Sequence, residues 1–225
     1  MRTTALKISQ LWKLRGPRAV LARLVSQYLS KIYAIRIDNI YSFKDIQAEA
    51  KPFDGYKVEL REVPQHESLP WDAEIEPDPE IDADRFRQGA RRYAAIWDGR
   101  GIDVCWAVSD CDYHDCIDGF TMRLGEKDVY LFDYRGIQNN RPAAFCRFKL
   151  WSQLTRIILD MENSRCKGGV QFYSLVAAGN RVSNAFHLRR LSAKLEGQLR
   201  TRVLFGHPSP IIDSDTHPMF IKTCS

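Results

Sequence analysis

Asn139, Asn140, Arg141, Pro142, Ala143, Ala144 and Phe145 stand between a strand-like run and a long segment of helical periodicity. Their types and position suit anion capture. A helix N-terminus carries unpaired N–H groups and partial positive charge, so phosphates settle there. Ala143 and Ala144 let backbone amides come close to a ligand, and Arg141 adds a charge-assisted contact. A pyrophosphate dianion could thus be wrapped by the amides of residues 140–146. Pro142 has no N–H and removes one donor. An ordinary strand–turn–helix with a proline start fits the same residues equally well.

Other clusters of reactive types lead less far. Cys111, His114 and Cys116 are metal-ligand residues, but zinc sites carry a second pair at defined spacing and none follows. A polar hairpin turn explains the segment, and no metal is expected. Gly99 and Gly101 precede a strand, so they are turn residues and no dinucleotide fingerprint. No phosphate-binding P-loop, nucleophile elbow or zincin motif occurs. Asn180 precedes a helical pattern and is a favoured N-cap residue.

The elements that must position these residues read in order. Residues 1–32 are basic and amphipathic, one or two helices with Leu11, Leu14, Leu21, Leu24 and Tyr28 on the apolar side. Strands are expected at 33–40 and 56–63, then a solvated loop over 64–84 with four prolines. Asp82 or Asp84 should cap a helix to about Trp97, with Phe86, Ala90, Tyr93, Ala94 and Trp97 on one face. Runs at 102–109, 116–124 and 128–137 read as an antiparallel meander. A helix over 142–161, a strand over 170–177, a helix over 180–191 and one or two strands over 194–205 complete the chain. That is an α+β layout around a mixed, mostly antiparallel sheet flanked by helices, with residues 33–225 as one domain and 1–32 as an extension.

Composition narrows the class. The chain has 225 residues, 44% hydrophobic, and a net charge of +5 that is unevenly spread. The first 37 residues hold eight bases and no acid, whereas Glu67–Asp84 holds eight acids and no base. A nucleic-acid binder is not patterned this way, and none is expected as partner. The basic start fits either packing on the domain or contact with an anionic membrane surface. Six cysteines without a secretory leader lead us to expect a cytoplasmic protein with reduced thiols, with membrane-peripheral attachment as the variant.

The region from about 56 to 206 resembles the GNAT superfamily of acyl-CoA N-acyltransferases, most clearly in its last third. Leu131-Phe-Asp-Tyr-Arg-Gly-Ile137 is similar to the family's strand, and residues 139–145 to its pyrophosphate loop, although Pro142 stands where a glycine is usual. Val176-Ala-Ala-Gly-Asn180-Arg-Val-Ser183 and His187-Leu-Arg-Arg-Leu-Ser-Ala193 are similar to the motifs that follow. The basic N-terminus resembles a subgroup found beside bacterial polysaccharide genes.

The resemblance implies acetyl-CoA or another acyl-CoA as co-substrate and a small-molecule primary amine as acceptor, such as an amino sugar or amino-acid derivative. It implies that two strands, ending near Ile137 and beginning at Val170, splay to admit the pantetheine arm. Tyr134, Gly136, Ile137, Asn140, Arg141, Ala143, Ala144, Phe145, Asn180 and Ser183 would then contact the cofactor, with the N–H of Ile137 or a neighbour polarising the thioester. Asp133 is the first base candidate and Asp118, on the neighbouring strand, the second; His187 lies where the family's sulfur-protonating tyrosine sits. An acyl carrier protein docking on residues 1–32 is a variant. A GNAT-fold module without catalysis is the alternative.

Overall fold

A computed structural model of the chain describes residues 33–46, 57–137, 147–213 and 216–221. The basic segment 1–32 and the loop bearing Asn140, Arg141, Ala143, Ala144 and Phe145 lie outside the described residues.

Eight strands form one sheet: β1 (Tyr33–Phe43), β2 (Val58–Glu62), β3 (Arg91–Trp97), β4 (Arg100–Ser109), β7 (Asp128–Gly136), β8 (Gln171–Ala177), β9 (Lys194–Leu204) and β10 (His207–Ile211). Their order is β10-β9-β1-β8-β7-β4-β3-β2. All neighbours are antiparallel except β7 and β8, which run parallel. A second sheet of three short strands is built from β5 (Asp112–Asp115), β6 (Phe120–Arg123) and β11 (Phe220–Ile221). The described helices are α1 (Pro79–Arg87), α2 (Arg147–Arg165) and α3 (Arg181–Arg190). The α+β layout with a mixed, mostly antiparallel sheet is therefore present.

Each face of the large sheet has its own cover, because side chains alternate along a strand. Tyr41, Phe43, Leu131, Phe172 and Val176 face one way and meet Trp151, Leu154 and Ile158 of α2 and Phe186 of α3. Ile40, Tyr130 and Phe132 face the other way, with Phe86 of α1 and with Tyr113, Phe120 and Phe220 of the small sheet. A fully buried side chain such as Leu154 or Ile158 contributes roughly 1.5–3 kcal/mol. One polar knot joins α2 to β3. The fully buried Glu162 carboxylate accepts from Arg91 (2.6 and 2.7 Å), the Tyr93 hydroxyl (2.5 Å) and Arg165 (2.9 Å).

Three expectations are corrected. The segment 82–97 is not one helix. Asp78 caps α1, accepting from the N–H groups of Glu80 and Ile81, and Gly89 at φ +80 ends it. Arg91–Trp97 then runs as an interior strand between β2 and β4, where an apolar run needs no alternation and imitates helical spacing. The meander is also different: residues 112–123 leave the large sheet as the β5–β6 hairpin, and β4 pairs directly with β7. The long helix is described from Arg147 to Arg165 and so runs past Met161.

Candidate functional site

The parallel β7–β8 pairing is short. Asp128, Val129, Tyr130 and Leu131 stand opposite Gln171, Phe172, Tyr173 and Ser174, and the register ends there. β7 continues to Gly136 beside β4, while β8 continues to Ala177 beside β1. The two strands part into a V. Peptide groups on its inner edges have no ladder partner across the gap, an unfavourable state unless something polar fills it.

A bulge in β7 turns it away from β8. Val104 pairs with Arg135 and Trp106 with Phe132, so Asp133 and Tyr134 together oppose Cys105. Two residues against one bend a strand and increase its twist. Asp133 sits at φ +47, a left-handed conformation that Asp adopts more readily than most residues. Arg85 of α1 holds it there: one guanidinium nitrogen lies 2.5 Å from Asp133 Oδ2. The Arg85 side chain is 3% exposed, and its guanidinium lies over the rings of Trp106 and Phe132 at 5.1 and 5.2 Å. Arg135 Nε lies 3.1 Å from the other Asp133 oxygen, close enough for an ion pair but not aligned as a hydrogen bond.

The V opens on two cavities that share Phe132, Asp133, Leu175 and Ala177. The first, about 270 Å³, lies on the face covered by α2 and α3. Phe43, Tyr134 and Trp151 bring aromatic rings to it and Leu131 an aliphatic wall, while Thr155, Ser174, Asn180, Ser183 and His187 bring polar atoms. Trp151 is stacked between Tyr134 (4.6 Å between centroids) and Phe186 (4.0 Å). The Tyr134 hydroxyl donates to the Asp103 carboxylate. The second cavity, about 290 Å³, lies on the opposite face and is charged, with Arg36, Asp38, Arg85, Asp115 and Asp118. Arg36 bridges Asp38 (2.7 Å) and Asp118 (2.5 Å). Burial pushes the Asp38 carboxyl above its ordinary value, against the pull of Arg36. It does the same at Asp115, against the N–H of Asp118.

His187 is a buried, uncharged ring. Its Nδ1 lies 2.8 Å from the Ser183 carbonyl, so Nδ1 carries the proton and Nε2 a lone pair. The ring stacks on Tyr41 at 5.1 Å. Burial lowers its pKa to about 4, against the Ser183 bond. A neutral imidazole whose N–H is engaged has no free proton for a leaving thiolate, and so low a pKa makes it a weak base as well. The acid role expected of His187 does not fit this state of the ring.

The structure brings Asp133, Tyr134, Asn180, Ser183 and His187 to the first cavity. Asn180 caps α3 by accepting from the Ser183 N–H at 3.1 Å. Ile137 does not join them. Its N–H donates to the Ile102 carbonyl at 3.0 Å and its side chain is buried with Ile102 and Leu150, so it has no donor for an oxyanion. Gly136 is buried and paired with Asp103. Asp118 reaches the second cavity from the turn between β5 and β6 and not from a strand of the large sheet. Asp115 accepts the N–H groups of Ile117 and Asp118 and folds that turn. Asp133 is engaged by Arg85 and Arg135, so its carboxylate is a structural anion of the bulge.

Sequence reasoning missed Arg85, Arg36, Asp115, Trp151 and Ser174 as lining residues. Long-range register alone brings them here, and no local pattern marks them. Cys105, opposite the bulge, is buried with its thiol pushed up by desolvation, which makes it a poor nucleophile. Among the described residues no group of three or more His, Cys, Asp or Glu is placed to hold a metal ion. Nor is any described helix long and apolar enough to cross a membrane.

No family model matches the chain, and no curated protein does. Among solved structures it is similar to a conserved protein of unknown function from Staphylococcus epidermidis ATCC 12228, at 11% identity and a TM-score of 0.45, covering 80% of this chain. A GNAT-family protein from Novosphingobium aromaticivorans DSM 12444, named as a candidate acetyltransferase, is similar at 12% identity and a TM-score of 0.38, covering 75% of this chain. This chain spans 65% of the length of each. Likeness of this strength says nothing of activity.

Proposed function

We propose that this chain transfers an acyl group, most simply acetyl, from a thioester carrier such as acetyl-CoA to a primary amine, through the gap between β7 and β8. The observation that carries this is the V itself, open to an aromatic cavity on one face and a charged cavity on the other. A pantetheine arm has amides that can replace the missing strand partner, and its uncharged length suits the first cavity. An acceptor ammonium suits the second, where Asp38, Asp115, Asp118 and Asp133 outnumber Arg36 and Arg85.

Asp38 and Asp115, whose carboxylates burial makes more basic than usual, are the groups we assign to take the proton that frees the amine lone pair. Its nitrogen then attacks the thioester carbon, and the C–S bond breaks with the pair on sulfur. The nitrogen's surplus proton ends on the thiolate, so amide and thiol are the products. The oxyanion role expected of Ile137 then falls to peptide N–H groups along the bulge at Asp133 and Tyr134, where the β4 register shifts. Incubation with acetyl-CoA and a panel of amino sugars and amino-acid derivatives, with release of free thiol as readout, tests this. Thiol released only with an amine present supports transfer; none with any amine opposes it.

A second reading, a carrier-binding module without transfer, is favoured by one observation: the Asp133 carboxylate is engaged by guanidinium groups on both oxygens. Carrier binding without thiol release would support it. Docking of an acyl carrier protein or a membrane on residues 1–32 concerns a segment outside the described residues.

A further inference from the structure

Ser174 stands at the last paired position of β8, opposite Leu131, where the two strands begin to part. Its side chain has the parity of Phe172 and Val176 and lines the aromatic cavity under α2 and α3. The residue is 6% exposed, and its hydroxyl oxygen has no hydrogen-bond partner among the described residues. A hydroxyl removed from water without a partner is destabilising, and such groups are rare in native proteins. The neighbouring polar side chains of the cavity are engaged elsewhere: His187 Nδ1 with Ser183, the Asn180 carbonyl with the Ser183 N–H, and the Tyr134 hydroxyl with Asp103. At the vertex of the gap, the Ser174 hydroxyl is, among the described residues, the buried group left over.

We infer that Ser174 is a positioning residue for the arm that fills the gap, its hydroxyl bonding an amide or thioester carbonyl of that arm. This rests on the proposed function and extends it with the chemical class of the ligand's middle portion. That portion is an uncharged chain with a hydrogen-bonding group level with Leu131, and a purely hydrocarbon arm would leave the hydroxyl as it is. The orphaned hydroxyl also separates binding from stability. Removing it from the free protein removes a desolvated polar group and no internal bond, while removing it from the complex breaks a bond to ligand.

Thermal unfolding of the wild type and of Ser174→Ala, followed by calorimetric titration with acetyl-CoA and with pantetheine, tests the inference. The variant should melt no lower than wild type and bind both probes about fivefold more weakly. A variant melting about 2–4 °C lower would mean that the hydroxyl already has a partner within the protein, and would overturn the inference. Unchanged affinity in a normally folded variant would overturn it too, while leaving the proposed function standing. Wild-type protein that binds neither probe would overturn both.

Discussion

Arg85 and Asp133, 48 positions apart, meet at 2.5 Å and hold the bulge that parts β7 from β8. The arginine is the buried partner, packed between α1 and the rings of Trp106 and Phe132. The opening of the gap, and with it the proposed site, depends on a pair that lines the charged cavity and whose Asp133 also reaches the other one.

Replacing one partner should therefore affect both stability and binding. Arg85→Ala leaves Asp133 in a left-handed conformation without its main counter-charge, and a broken buried pair costs about 3 kcal/mol. Urea denaturation should show that loss. The double variant with Asp133→Ala should lose less than the sum of the single changes, because the two residues act as one unit.

Glu162 offers a contrast far from the gap. Its fully buried carboxylate serves Arg91, Tyr93 and Arg165. Glu162→Ala should lower unfolding free energy by about 3–5 kcal/mol. At saturating acyl carrier the folded fraction should keep wild-type affinity, as read by calorimetry below the melting point.

His187 gives the protein a pH signature. Its folded pKa of about 4 lies below the ordinary 6.5. Above pH 6.5 the ring is neutral folded or unfolded and contributes nothing to the pH slope. Between 6.5 and about 4 the unfolded chain binds a proton that the folded one refuses, so stability falls as pH falls. The full effect is about 3 kcal/mol. Subtracting the curve of His187→Phe, which keeps a ring against Tyr41, should isolate it; parallel curves would contradict the burial argument.

The charged cavity predicts a change confined to the amine. Asp115→Asn keeps an oxygen for the N–H groups of Ile117 and Asp118 but removes the charge. kcat/KM for the amine should fall about tenfold or more, because a proton acceptor is lost together with the charge. Affinity for acetyl-CoA should not move.

Legibility followed locality. Asn180 and α3 were readable because a cap and the helix it starts are neighbours in sequence. The strand 171–177 carries its own alternation. Arg91–Trp97 was misread because burial on both faces erases that alternation, leaving a run that also fits 3.6 residues per turn. Asp118 and Ile137 were individually plausible, but their roles turn on hydrogen bonds made by neighbours in space. The Arg85–Asp133 pair and the Ser174 hydroxyl could not be anticipated, since each is defined by strand register across long separations.

The most direct measurement is titration of acetyl-CoA into wild-type protein and into Ala177→Trp, where an indole at the shared wall of the two cavities fills the gap. The account predicts saturable one-to-one binding by the wild type and none by a variant with unchanged melting temperature. Equal binding by both proteins would contradict it.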